Sequence, residues 1–304
     1  MPEWIDLLEA QVCEPFRAML RAIDAHTAAR TREIRIRAGK PLALYADKEA
    51  FLCAEGLCPI NRAYIPTQAD LSRLLDAMCR HSVYAYEEDI RRGYLTLRGG
   101  FRAGLSGHAL SEDGALKRLH PISAVNLRIA RETRGAAVPL LPHLLSSGGV
   151  RSMLLLSPPG LGKTTMLRDA VRLVSEAGYN VALADERGEI AALYDGVPQL
   201  DIGPRTDVLD GCPKEAAMSI LLRTMSPRVL ATDELGTSAE ADAILDAANS
   251  GVAVLATAHA SGYGEATSRP ALSRILPLFR RVAVLLGTPG NIAAIYADGK
   301  LIGS

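Results

Sequence analysis

The sequence predicts an α/β protein of two domains: a C-terminal domain built on a mainly parallel sheet, residues 135–304, preceded by a smaller α+β domain, residues 1–134. Three observations carry that expectation. At the usual ~150 residues per domain, 304 residues give each half enough chain to bury its own core. From Ser152 onward short apolar runs alternate with amphipathic stretches of helical period, the repetition that builds a parallel sheet covered on both faces. Between the halves, residues 130–138 (A-R-E-T-R-G-A-A-V) are charged and small, and no period survives across them.

Composition narrows the classes. Lys+Arg and Asp+Glu each number 34, hydrophobic residues make up 48% and charged residues 22%, which excludes wholesale disorder and a supercharged tail. No window approaches the ~18 apolar residues of a membrane span, and the acidic start Met-Pro-Glu-Trp-Ile-Asp is unlike a secretory signal, so a cytoplasmic protein is expected. The five cysteines are odd in number and hold no C-x-x-C pair, so neither a disulfide framework nor a zinc site is suggested. Aromatic residues at 5%, with abundant alanine, fit helices packed closely on a sheet better than an aromatic-rich nucleic-acid stacking surface.

In the first half, Phe16, Met19, Leu20 and Ile23 recur at helical spacing and predict a helix from Glu14 to about His26. Glu33–Arg37 alternates charged and apolar residues, Ala38-Gly39-Lys40-Pro41 has turn chemistry, and Leu42–Tyr45 returns, which reads as a hairpin. Thr67 can cap a helix running to about Arg80, with Leu71, Leu74, Leu75 and Met78 on one face. Tyr94–Arg98, Gly99-Gly100 and Phe101–Leu105 form a second predicted hairpin. In the second half the predicted order is strand Met153–Leu156, helix Thr164–Glu176, strand Val181–Ala184, helix Lys214–Met225, strand Val229–Thr232, helix Ala239–Asn249 and strand Val252–Thr257. A terminal hairpin, Arg281–Leu286 with Ile292–Ala297, closes it.

The chemistry concentrates where these strands end. Ser157-Pro158-Pro159-Gly160-Leu161-Gly162-Lys163-Thr164-Thr165 stands between a strand and a helix, the context of a phosphate-binding loop. A polyphosphate needs inward backbone N–H groups and a helix N-terminus, and glycines let the backbone approach it. Lys163 would reach the β and γ phosphates, and the Thr164 hydroxyl would hold Mg²⁺. Ser157 occupies the first glycine position of that pattern. A second apolar run, Arg228–Thr232, ends in Asp233-Glu234. Asp233 there can accept from a water on Mg²⁺, and Glu234 can polarise an attacking water. Asp185-Glu186-Arg187-Gly188-Glu189 follows a strand that opens on the same edge, which puts Asp185 near the metal and Glu186, rather than Glu189, near the water. His259 ends the next strand and could sense the γ phosphate.

These residues, with Gly203–Lys214 (G-P-R-T-D-V-L-D-G-C-P-K), Met225–Val229 and Thr257-Ala-His259, resemble the stage III sporulation protein AA family. In the first half Glu33–Pro41, Ser82–Glu88, Arg91–Tyr94, Gly99–Gly104 and Asn126–Glu132 resemble it too. The resemblance implies a RecA-like P-loop ATPase related to the type II and type IV secretion motors, taking ATP and Mg²⁺. It further implies a homo-oligomer in a hexameric ring. Such a ring acts from the mother-cell cytoplasm on membrane-bound channel proteins of the same operon, which link mother cell and forespore. By that analogy Asp185-Glu186 matches an acidic box and His259 a histidine box.

Ring motors place nucleotide between subunits and use an arginine from the neighbour. Arg102 and Arg205 head the candidates, with Arg98, Arg128 and Arg223. Two other readings stay open, a nucleic-acid-dependent ATPase and a nucleotide-gated scaffold with little turnover. The short run after the terminal hairpin leaves no room for an added nucleic-acid domain, and intact Lys163, Thr164, Asp233 and Glu234 favour turnover. Whether Glu186 or Glu234 is the main activator of water stays undecided at this level.

Overall fold

The computed structural model describes residues 3–112 and 115–303. They form two compact units: the chain up to Arg131 together with Ala192–Gln199, and Glu132–Ala191 together with the chain from Leu200 onward.

The first unit begins with α1 (Glu3–Glu9), α2 (Phe16–Arg21) and α3 (Ala25–Arg30). The continuous helix expected over residues 14–26 is broken at Asp24, whose extended backbone and carboxylate, accepting from Thr27 N–H at 2.9 Å, start a new helix. Strands β1 (Glu33–Arg37), β2 (Ala43–Tyr45), β3 (Glu49–Cys53) and β4 (Gly56–Cys58) follow as an antiparallel meander. Alternation in β1 puts Ile34 and Ile36 inward, as the charged-apolar pattern requires. Thr67 and Asp70 form a capping box that opens α4 (Gln68–Met78). After α5 (Glu87–Arg92) come β5 (Tyr94–Thr96), β6 (Arg102–Glu112) and β7 (Ala115–Arg128). Among the described residues the sheet order is β4-β3-β2-β1-β7-β6-β5, antiparallel throughout. Its core joins Ile34, Leu44, Leu52 and Leu127 from strands to Ile5, Leu8, Phe16, Leu71 and Leu74 from helices.

The second unit opens with α6 (Leu141–Leu144) and the small hairpin β8 (Leu145–Ser146) and β9 (Gly149–Val150). Then β10 (Met153–Ser157), α7 (Lys163–Glu176) and β11 (Val181–Asp185) follow. The chain next makes the excursion β12 (Leu193–Tyr194) and β13 (Val197–Pro198), a hairpin that belongs to the first unit although the sequence placed everything after residue 134 in the second. It continues with β14 (Thr206–Asp210), α8 (Lys214–Thr224), β15 (Val229–Thr232), α9 (Ser238–Asn249), β16 (Ala253–His259), α10 (Tyr263–Ser268) and α11 (Pro270–Ile275). Strands β17 (Arg281–Leu285), β18 (Ile292–Ala297) and β19 (Lys300–Gly303) close the sequence of elements.

Among the described residues the sheet order is β14-β11-β15-β16-β10-β17-β18-β19, with the first six parallel and the last two antiparallel. Strands β10, β11 and β15 are buried at every position, which is why they read as unbroken apolar runs. Alanines such as Ala182, Ala217, Ala241, Ala247 and Ala256 let helices lie close on the sheet. Parallel pairing sets Ser157 opposite His259 and Asp185 opposite Asp210, so one carboxyl edge of the sheet receives the chemistry-bearing strand ends. Among the described residues no helix is long and apolar enough to cross a membrane.

Candidate functional site

Strand β10 ends on buried Ser157, and residues 158–162 turn the chain into α7. Gly160 and Gly162 stand at φ +77° and +83°, left-handed conformations that glycine adopts without steric cost. The Gly290 N–H in the β17–β18 turn donates to Leu161 O at 3.0 Å, so that turn braces the loop from outside. Ser157 fits the first glycine's place because its hydroxyl folds back and donates to Pro158 O at 2.7 Å. Lys163 opens α7 with its Nζ folded onto the loop, 2.9 Å from Ser157 O, 3.1 Å from Ser157 Oγ and 3.0 Å from Pro158 O. Burial pushes the Lys163 ammonium below the ordinary lysine range, and the charge of Glu234 works the other way.

A chain of polar contacts joins that lysine to the end of β15. Lys163 Nζ lies 3.0 Å from His259 Nδ1, and His259 Nε2 lies 3.2 Å from Glu234 Oε1. An ammonium only donates and a carboxylate only accepts, so the imidazole can bridge them by accepting at Nδ1 and donating from Nε2. The other Glu234 oxygen, Oε2, accepts from Arg187 at 3.0 Å. Glu234 itself adopts φ +42°, a left-handed conformation that costs a residue with a Cβ about 1–2 kcal/mol. Its N–H donates to Thr257 Oγ1 at 2.8 Å, and the Leu235 N–H donates to Thr257 O, also at 2.8 Å. Beside it Asp233 is 1% exposed, and its Oδ1 has no hydrogen-bond partner among the described residues. Burial pushes the Asp233 carboxyl up to about 6, while Lys214, 3.7 Å away, pulls in the opposite direction.

With this geometry in place, comparison with known proteins is informative. The family described as sporulation stage III, protein AA, matches residues 9–301. The chain belongs to that family. It is 37% identical over 280 residues to stage III sporulation protein AA of Bacillus subtilis (strain 168), covering 89% of this chain and 88% of that protein. Its fold is similar to that of the Legionella pneumophila ATPase DotB, with a TM-score of 0.56 at 18% identity, over 88% of this chain and 74% of the other. The pilus retraction motor PilT with bound ADP gives 0.54 at 14% identity, over 85% and 75%. The fold is therefore that of the RecA-like secretion ATPases.

Within this member of the protein AA family, Asp185, expected near the metal, is engaged by its own loop. It is fully buried, Oδ1 accepts from the N–H groups of Glu189 (3.0 Å) and Ile190 (3.2 Å), and Oδ2 from Ile190 (3.0 Å) and Ala191 (2.8 Å). Both oxygens are committed to folding its own loop, although burial still pushes the carboxyl upward. Glu186 is half-buried on that loop and makes no hydrogen bond or ion pair among the described residues. Arg205 is exposed at the amino end of β14, where its carbonyl accepts from Val181 N–H at 2.9 Å. That is the edge of the sheet opposite the loop at residues 158–162, because β14 and β10 run the same way. Arg223 sits in the last turn of α8. Arg102 lies in the first unit with its guanidinium 3.8 Å over the Tyr94 ring, and Arg98 and Arg128 lie in that unit too.

Two basic residues that sequence reading left without a role, Arg187 and Lys214, are in contact with the site. Arg187 was visible only as one letter of the acidic run, and Lys214 only as the first residue of a helix after a proline. Both are cations set among carboxylates, the signal that could have marked them.

Proposed function

We propose that this chain is a Mg²⁺-dependent ATPase that works as a motor on a membrane assembly joining mother cell and forespore during endospore formation. The observation that supports this most is the path Lys163–His259–Glu234 at the glycine-turned loop. The cation suited to meeting phosphates and the carboxylate suited to orienting water share one histidine. The residues from Ser157 to Thr165 would cradle the phosphates with backbone N–H groups at the start of α7. Lys163 would then exchange the carbonyls of Ser157 and Pro158 for β- and γ-phosphate oxygens. Its departure frees His259 Nδ1, so occupancy of the loop is felt at Glu234 through one imidazole.

Glu234 orients a water on the γ-phosphorus. The water oxygen bonds phosphorus, the bond to the ADP oxygen breaks, and the water's proton passes to the carboxylate. Glu186, which makes no hydrogen bond or ion pair among the described residues, is the second candidate for this task. A hard cation fits the residues present, since Asp233 Oδ1 is a buried acceptor with no hydrogen bond among the described residues, only the Lys214 ammonium at 3.7 Å, and Thr164 offers a hydroxyl in the first turn of α7. When bound, Mg²⁺ supplies neutralisation of phosphate charge. Asp185 does not fit that role. The motor would assemble as a homo-oligomer, a hexameric ring, in the mother-cell cytoplasm, and reach the membrane through channel proteins. An arginine from the neighbouring subunit, with Arg102 and Arg205 the leading candidates, would complete each site.

Steady-state phosphate release with ATP and Mg²⁺, at several protein concentrations, tests the reading. Turnover is expected to rise with concentration, to be lost in Glu234→Gln and to ignore single-stranded DNA. Turnover that appears only with DNA would replace a motor with a nucleic-acid-dependent ATPase. Binding of ATP without turnover in any arm would leave a nucleotide-gated scaffold.

A further inference from the structure

The segment Thr206–Lys214 (T-D-V-L-D-G-C-P-K) is a distinctive string that the catalytic reading leaves unused. Its last residue, Lys214, opens α8 directly behind the strand end that carries Asp233 and Glu234. The side chain is 7% exposed, an expensive place for an ammonium unless every proton is engaged. Two protons go to backbone carbonyls, Asp233 O at 2.9 Å and Glu234 O at 3.0 Å. The third lies between two carboxylates, with Glu240 Oε1 at 3.5 Å and Asp233 Oδ1 at 3.7 Å.

Those two carbonyls belong to the peptide units on either side of the strained Glu234. Strand β15 stops at Thr232, so neither carbonyl is taken up by a ladder partner. On the opposite side Thr257 holds the N–H groups of Glu234 and Leu235. The backbone of residues 233–235 is thus gripped from both sides, carbonyls by a lysine and amides by a threonine. A non-glycine residue persists in a left-handed conformation only when its surroundings over-determine it, and such strain gathers at working sites. Here the grip sets the direction in which the Glu234 side chain leaves the backbone, and so its approach to His259 Nε2.

We propose that Lys214 is a positioning residue for ATP hydrolysis: by clamping the carbonyls of Asp233 and Glu234 it holds the strained Glu234 backbone and aims the water-orienting carboxylate. This rests on the reading of the site as an ATPase. Among the described contacts Lys214 touches neither the loop at residues 157–162 nor His259; because it also pairs with Asp233 Oδ1, the oxygen that would hold Mg²⁺, at 3.7 Å, the clamp is read in kcat at saturating Mg²⁺ and nucleotide.

The test compares full-length wild type with Lys214→Met, Thr257→Val, Glu234→Gln and Lys214→Met/Glu234→Gln. It measures kcat and KM for Mg²⁺-ATP, equilibrium affinity for a fluorescent ATP analogue, and thermal melting. Lys214→Met is expected to lower kcat at least tenfold, with KM and analogue affinity within about threefold of wild type. Thr257→Val, which loosens the opposite side of the grip and leaves the lysine paired, should shift kcat in the same direction and leave KM alone. The double variant should be no slower than Glu234→Gln, because the lysine acts through that glutamate. If Lys214→Met melts below the assay temperature, Thr257→Val decides alone. An unchanged kcat, a loss of affinity in step with kcat, or a further slowing in the double variant would overturn the proposal. Wild type that binds the analogue but never turns over would instead remove the ATPase reading, and Lys214's role with it.

Discussion

At the scale of single residues the site is a chain of polar contacts running Lys163, His259, Glu234 and Arg187, with Asp233 and Lys214 beside it. Asp233 is a carboxyl held near 6 by burial when an unfolded aspartate titrates near 4. The fold therefore favours its protonated form. Stability from this group is full below about pH 4 and is lost as pH rises through about 6. Asparagine cannot ionise, so Asp233→Asn should stabilise the protein by about 2–3 kcal/mol above pH 7, with a much smaller gain near pH 4. Chemical denaturation in EDTA at the two pH values measures this, and equal gains at both would refute it. The glycine-turned loop at residues 157–162 and the strand end at Asp233-Glu234 were legible because each is a short contiguous string. The partners were not. Arg187 meets Glu234 from 47 residues away and Lys214 meets the same turn from 19 and 20, distances closed only once the parallel sheet forms.

At the scale of elements, the loop after β11 shows a carboxylate working as a structural knot. Asp185 organises three successive N–H groups without any ladder or helix to pair them. Asp185→Ala leaves those donors buried and unpaired, and should cost about 2–4 kcal/mol. Glu186→Gln, next to it and half-buried, should leave stability within about 0.5 kcal/mol. Paired denaturation curves settle the contrast, and hydrogen exchange in Asp185→Ala should quicken first at residues 189–191. From sequence both acids looked like neighbours in one site, since a run of charges at a strand end does not say which carboxylate turns inward. Strand β14 escaped notice for a related reason. Thr206–Asp210 is a half-exposed edge strand whose two aspartates break any apolar run, and its place is set by pairing with β11. Buried strands β10, β11 and β15 were legible because both of their faces are covered.

At the scale of the whole molecule, equal numbers of opposite charges give a sequence pI near 7.0. With little net repulsion between copies, self-attraction should be greatest near neutral pH and weaken at pH 8.5. Static light scattering across that range, before any nucleotide is added, should show the second virial coefficient rise with pH. A flat profile would mean that local patches, and not net charge, govern association. The break between the two units at Arg131 and Glu132 falls inside the stretch of lost periodicity. The return of residues 192–199 to the first unit had no such marker, because its two-residue strands carry no period.

That return has a consequence for the order in which the protein is made. Asp195 receives the Arg80 guanidinium at 2.6 Å, and Gln199 receives the Gly99 N–H at 2.8 Å. During synthesis the first unit is complete only after Gln199 has been added. Residues 158–162 and β11 have already been translated by then. At about 5–20 residues per second the segment after Arg131 takes roughly 3–14 s to reach that point. For that interval the nascent first unit waits, lacking two strands that a ribosome delivers only after starting on its neighbour.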